Sequence, residues 1–458
     1  MTGPQYSPRR RTALVLAGSG TAGAYHAGVL RALHEAGVRI DLVAGQGMGA
    51  ASAMLAAIDG AAKLWEPDGL WRGPHPPRFY RLRGTLRAAG WLIGLALVCL
   101  LLPFGLLVAA MPVYVLGLLL NLVGLENAGI TLTGGSTRLL DRLFAPDALP
   151  TVMPRLVVLA LLAGIVTLAI GTRRAMRGGP ERRAQRGWTG LLSAPLTARG
   201  ALARIRLTLW DLIRGAAPIT LPADTEFGQR YAELLGENLG QPGFRELLIV
   251  AHDLDARADV LFALLAGPHR KAFFGGRAAR EIDRRRAETV DLAGAGRDHV
   301  FDALAAALSI PVVTDPSLVT FARESHWRGE THRLCDRPDA LRRLVDEAAT
   351  AGAEQIILAA PAPPPVGPHE IAVARGDLRG RAGEYLVSLE TAALGDASRA
   401  APIVFVIRPP HNPIGPFDFE GAYDERSDRR SALGELIDRG YEDAYRQFIE
   451  PRVAAGIS

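Results

Sequence analysis

The run Val43-Ala44-Gly45-Gln46-Gly47-Met48-Gly49-Ala50 decides how this chain is read. It joins a strand-like apolar segment, 40–44, to a helical segment of small residues, 48–58. A small residue, any residue, a centre, any residue and a small residue between strand and helix is the pattern of a nucleophile elbow. Glycines suit so sharp a turn, because larger side chains would clash. The usual occupant of the centre is a serine. Here it is Gly47, which has no side chain. The same residues therefore point to an enzyme fold and remove the group that would do the chemistry.

Working outward, residues 1–60 read as β-α-β-α. Segment 12–16 is a short buried strand. Segment 24–36 has helical spacing, with Val29, Leu30 and Leu33 on one face, and Gly37 ends it. The alternation resumes late in the chain. Segments 247–251, 355–359 and 403–407 read as buried strands, and 300–308, 340–351, 384–393 and 431–449 as helices. Strands alternating with helices predict a layered α/β fold with a mostly parallel sheet. Segment 360–368 is proline-rich and reads as a loop, and no internal repeat is found.

The 458 residues suffice for one large domain or two ordinary ones. The formal charge is +5 and the pI about 9.4. Arginine supplies nearly all of the positive charge, since Lys63 and Lys271 are the only lysines. No basic patch interleaved with aromatics accompanies it, so nucleic acid is not an expected partner. Cys99 and Cys335 form neither a disulfide framework nor a zinc spacing. Arg9-Arg10-Arg11 reads as the solvated lead-in to a strand rather than a twin-arginine signal, because no clean apolar region follows.

From Ala88 to Leu125 there is no charged residue, and a second apolar run goes from Leu156 to Ile170. About 20 apolar residues cross a bilayer. Arginines flank the pair: Arg72, Arg78, Arg81, Arg83 and Arg87 before, and Arg173, Arg174, Arg177, Arg182, Arg183 and Arg186 after. The intervening loop, 126–153, holds only Arg138 and Arg142, balanced by acids. The positive-inside rule places both outer flanks in the cytoplasm, which requires an even number of crossings. The first run, broken by Pro103 and Pro112, is expected to form a kinked span plus an interfacial or re-entrant stretch. A buried core helix remains an alternative for the second. The organisation expected is 1–87 as the first part of the α/β domain, 88–172 as a transmembrane insertion with about two crossings, 173–222 as a basic linker with interfacial helices, and 223–458 as the rest of the domain. Trp188, Leu191, Leu192, Leu207, Leu209, Trp210 and Leu212 fit the headgroup region; ordinary core contacts explain them as well.

Ala17-Gly18-Ser19-Gly20-Thr21-Ala22-Gly23 follows the first strand and opens a helix. Gly18, Gly20 and Gly23 have the spacing of a dinucleotide fingerprint. That reading needs an acid near the end of the second strand, and Asp41 lies at its beginning. The other reading is an oxyanion hole, in which consecutive backbone N–H groups stabilise charge developing on an ester oxygen. A glycine loop followed by an elbow about 25 residues later resembles the patatin-like phospholipase family. The likeness runs through Leu16–Gly23, Gly23–Leu33 and Val43–Ala57. It resumes at Ala303–Pro311, at Cys335-Asp336-Arg337-Pro338, and at Ala351–Ile357.

The resemblance implies a three-layer fold and lipid acyl hydrolysis by a serine–aspartate dyad with no histidine, metal or cofactor. It assigns the oxyanion hole to the loop of Gly18, Ser19, Gly20 and Gly23. It assigns the base or orienting role to Asp336 and the nucleophile position to Gly47. Three departures stand at that site: Gly47 itself, Ala22 where the family's loop usually carries Lys or Arg, and Arg337-Pro338 in place of small residues. Ser19, inside the anion-binding loop, and Ser52, beyond the elbow, are poor substitutes.

Other constellations carry less. His326, Glu330, His332 and Asp336 lack helical metal-ligand spacing, and a charged network bracing the loop at Asp336 is expected instead. Asp253 and Asp255 read as turn or capping residues, and Asp418, Asp424 and Glu425 as a solvated loop. The expected function is a multi-pass cell-membrane protein whose cytoplasmic patatin-like domain has a degenerate hydrolase site and binds membrane lipid, an acyl ester or a protein partner. The alternatives are an active hydrolase with unusual chemistry, such as water activated by Asp336, and a membrane nucleotide-binding protein.

Overall fold

The structure is a computed structural model that describes residues 5–176, 194–275, 285–367, 377–399 and 403–453. Its contacts separate two units: Met1–Arg81 with Leu196–Ser458, and Leu82–Pro195.

The first unit is built on a nine-stranded sheet among the described residues. Its strands are β1 (Thr12–Leu16), β2 (Leu42–Gly45), β3 (Glu246–Asp253), β4 (Ala258–Leu264), β5 (Thr289–Asp291), β6 (Ser317–Thr320), β7 (Thr331–Cys335), β8 (Gln355–Ala359) and β9 (Ile403–Ile407). The order is β9-β8-β1-β2-β3-β4-β5, with β7 beside the end of β3 and β6 beside β7. From β9 through β3 every pairing is parallel. The β3–β4 pairing is antiparallel. The expected α/β fold with a mostly parallel sheet is the fold observed.

Alternation along the strands sends side chains to two layers. Leu14, Leu16, Val43, Leu247, Ile249 and Ile357 point into one core with α1 (Ala22–Glu35) and α2 (Met48–Ala57). Ala13, Val15, Leu42, Ala44, Leu248 and Ile356 enter the other. Both faces are covered, which is why these strands read as continuous apolar runs rather than alternating ones. The four strands β4 to β7 are not among the sequence expectations. Three of them are short, and Thr331-His332-Arg333 in β7 is polar. The terminal segment expected as one helix is an α-helix, Leu433–Ala444, followed by a π-helical stretch, Tyr445–Val453.

The expected linker is only partly one. From Leu196 onward the chain belongs to the α/β unit. A helix at Arg199–Arg214 buries Ile205, Leu209 and Trp210 in the core. The Trp210 ring packs edge-on to Phe227, with centroids 5.2 Å apart. Phe227 lies on the next helix, Asp224–Asn238, where the Tyr231 hydroxyl donates to Met54 O at 2.8 Å. The core reading therefore holds for Leu209 and Trp210, while Leu207 is exposed. Trp188, Leu191 and Leu192 lie outside the described residues, as do Arg177, Arg182, Arg183 and Arg186.

Among the described residues the second unit has three helices: α3 (Gly84–Leu122), α4 (Glu126–Leu143) and α5 (Leu149–Met176). Two differences from expectation follow. Helix α3 is one continuous 39-residue helix that carries Pro103 and Pro112 within it, not a span plus a separate stretch. Segment 126–143 is a helix rather than a loop; its polar face and its first-turn Glu126 and last-turn Arg142 suit a helix dipole. Among the described residues two helices are long and apolar enough to cross a membrane by length and composition, Gly84–Leu122 and Thr151–Ile170. Their apolar side chains are largely exposed, including Trp91, Phe104, Val108 and Ile165.

Candidate active site

The glycine loop leaves the carboxyl end of β1, and the elbow leaves the carboxyl end of its parallel neighbour β2. Ligands of open parallel sheets bind outside these ends. Gly47 is the N-cap of α2, with φ 59° and ψ −130°, a backbone conformation strained for residues with a side chain. The turn is pinned to the loop: Met48 N–H donates to Gly18 O at 2.8 Å, and Gln46 N–H to Leu16 O at 3.0 Å. A Cβ placed on Gly47 would lie 3.0 Å from Asp336 Oδ2 and 2.7 Å from Gly18 O. Position 47 is thus aimed at the aspartate, as an elbow centre should be.

Asp336 follows β7 and is held by its own N–H donating to Ser309 O at 2.7 Å. Its carboxyl is buried, and Ser19 Oγ donates to Oδ2 at 3.0 Å. The loop serine therefore bonds the same carboxylate oxygen at which position 47 is aimed. Ser19 N–H, one of the expected oxyanion donors, is already taken by Glu390 Oε1 at 2.9 Å. Thr21 N–H donates to Pro416 O and its hydroxyl to Gly415 O. The 415–416 backbone lies so close over the loop that a Cβ on Gly20 would fall 1.8 Å from Pro416 O. Gly23 sits inside α1 against the Trp71 indole, so it serves packing and not the loop. Gly18, Ser19, Gly20, Gly47 and Asp336 converge; Gly23 does not join them.

Burial dominates the electrostatics. It pushes the Asp336 carboxyl up to about 6, with hydrogen bonds from Ser19 and others opposing. It pushes Glu390 up to about 8, against the Ser19 N–H bond and with help from the Asp336 charge. Asp336 Oδ1 and Gln46 Oε1 are both buried without a hydrogen-bond partner. The folded state holds the Asp336 and Glu390 protons more tightly than an unfolded chain does. Their contribution to stability is therefore full at low pH and is lost as pH rises through about 6 for Asp336 and about 8 for Glu390. Glu390→Gln keeps an acceptor for Ser19 N–H and removes one titration. Thermal unfolding from about pH 5 to about pH 9 is expected to show a shallower decline for this variant. An unchanged slope would contradict the assigned shift.

The family model described as patatin-like phospholipase matches residues 14–159, which include the glycine loop and the elbow. Over that stretch the chain is similar to patatin-like phospholipases. The match ends before Asp336. Among solved structures, VipD from Legionella pneumophila aligns at 12% identity over 98% of this chain and 68% of that one, with a TM-score of 0.30. Comparison with curated proteins gives no match.

Elsewhere in the α/β unit the remaining expectations sort out by geometry. Ala22, at the position expected to be basic, is fully buried. Arg337 contributes its carbonyl to Gln46 Nε2 at 2.5 Å. Ser52 Oγ is buried within α2 and has no hydrogen-bond partner. The expected charged network exists but does not include Asp336: His332 pairs with Asp253 and, at 3.4 Å, with Glu330, whereas Asp336 faces the glycine loop. Asp253 Oδ1 accepts the N–H groups of Asp255 and Ala256, a turn role. Asp255 pairs with Arg333. Asp424 is buried, not solvated, and binds His411 and the Ser427 hydroxyl. Among the described residues no group of three His, Cys, Asp or Glu could hold a metal ion.

Sequence reasoning missed Glu390. It lies on the helix Leu378–Ala397, on the same stripe as the buried Leu386, Ala393, Leu394 and Ala397. A lone carboxyl at the i, i+4, i+7 positions of an apolar face was the available signal.

Proposed function

We propose that this is a membrane-anchored patatin-like protein whose domain binds acyl lipid, or a protein partner, at the cytoplasmic membrane face without turning esters over through the elbow. The observation that carries this is Gly47 at the elbow's centre: the backbone aims at Asp336 and no hydroxyl is present. Two further observations support it. The Ser19 amide is engaged by Glu390, and Ser19, Gln46 and Asp336 are all buried. Anchoring is supported by the two long apolar helices and their exposed side chains. The arginine-rich flanks favour the cytoplasmic side.

One observation favours a second reading, an active acyl hydrolase. Ser19 Oγ and Asp336 Oδ2 are 3.0 Å apart, a hydroxyl and a base within proton-transfer reach. In that case Asp336 would take the Ser19 proton as Oγ attacks the acyl carbonyl. A fluorophosphonate probe separates the two. The first reading expects no labelling of the full chain. Labelling that disappears in Ser19→Ala would establish the second.

A further inference from the structure

A cavity of about 1190 Å³ lies away from the Ser19–Asp336 pair, between the segment Arg286–Asp291 and the turn Phe321–Arg328. Its size is that of a generous small-molecule site. The turn is fixed rather than loose. Phe321 N–H donates to Glu330 O at 3.0 Å, and Arg328 N–H to Ser325 O at 3.2 Å. Trp327 Nε1 donates across the cleft to Ala287 O at 3.1 Å, tying one wall to the other. The Trp327 ring packs on His332 with centroids 4.4 Å apart.

Arginines around this region are neutralised by carboxylates: Arg270 by Asp291, Arg285 and Arg343 by Glu347, and Arg333 by Asp255. The cleft's own Arg286, Arg323 and Arg328 are exposed and have no carboxylate partner among the described residues. Against these three guanidiniums stands one unpaired carboxylate in the lining, Glu324, because Asp291 is taken by Arg270. The cleft therefore keeps a net positive charge of about two beside Phe274, Phe321 and Trp327. Guanidinium forks match phosphate oxygens in geometry as well as in charge, and aromatic walls take an adjoining planar or apolar group.

We propose that this cleft binds a phosphomonoester that carries a planar or apolar group, with Arg286, Arg323 and Arg328 holding the phosphoryl oxygens. The dianion matches the charge of the site. The same chemistry is found in a nucleoside monophosphate and in a lysophosphatidic acid headgroup, and both suit the walls. The site is independent of the elbow and of any ester chemistry there.

The test is calorimetric titration of the full chain in detergent with three probes: inorganic phosphate, adenosine monophosphate, and a short-chain lysophosphatidic acid below its micelle concentration. Arg323→Ala and Arg328→Ala are each expected to weaken binding by roughly tenfold, the loss of one charge-assisted contact. Arg230→Ala, an exposed arginine already paired with Glu226, is expected to change nothing. Stronger binding of the nucleotide would name that source, and stronger binding of the lipid the other. No binding by any probe, or binding that neither cleft variant weakens, would overturn the proposal.

Discussion

On the proposed anchoring, the full chain is expected in the membrane fraction, and replacing residues 84–194 with an Asn-Gly turn is expected to make it soluble without detergent. The insertion's own ends meet: Arg83 N–H donates to Pro195 O at 3.1 Å, the spacing that a two-residue hairpin turn closes. Both hydrophobic clusters of the α/β unit are made from residues of that unit. What would be removed is helix α3, about 58 Å long at 1.5 Å per residue, against a hydrocarbon layer of about 30 Å, together with the apolar window Thr151–Ile170. Fractionation followed by size-exclusion chromatography and circular dichroism checks this. A shortened chain that still requires detergent, or a full chain found in the soluble fraction, would contradict the anchoring role.

Gly47→Ser is expected to lower stability by about 1–3 kcal/mol, which alters the folded-to-unfolded ratio by a factor of roughly 5 to 150. It is also expected to leave ester hydrolysis at background. The φ of 59° is strained for serine, and its Cβ would press to 2.7 Å on the Gly18 carbonyl. That carbonyl is not free to move, because it accepts the Met48 N–H that starts α2. A new hydroxyl would also compete with Ser19 for Asp336 Oδ2, and the Ser19 amide would still be engaged by Glu390. Denaturant unfolding and a fatty-acyl ester assay read the two effects. If this variant hydrolyses ester while the parent does not, the loop is a working oxyanion hole and the elbow lacks nothing but its serine.

The elbow and the parallel strands were legible because their signals are local. Gly45 and Gly49 mark a turn whose flanking positions leave no room for a Cβ, and 356–359 and 403–407 are apolar throughout. What stayed hidden depends on contacts far apart in sequence. The Ser19–Glu390 bond spans 371 positions and the Ser19–Asp336 bond 317. Nothing near Ser19 announces that its amide and its hydroxyl go to two different carboxyls. The helix Arg199–Arg214 misled for another reason. Its surface carries enough arginine to look like a membrane-facing linker, while Ile205 and Leu209 are fully buried. His332 was rightly placed in a charged network, but side-chain direction sent it to Asp253 rather than towards Asp336.

Hydrolysis of a medium-chain fatty-acyl ester by the full chain in detergent, set against Asp336→Asn, tests the central claim most directly. The account predicts that parent and variant both stay at the rate of the buffer, because no hydroxyl stands at position 47. Turnover by the parent that Asp336→Asn abolishes would contradict it and make this domain an enzyme with a nucleophile other than the elbow's.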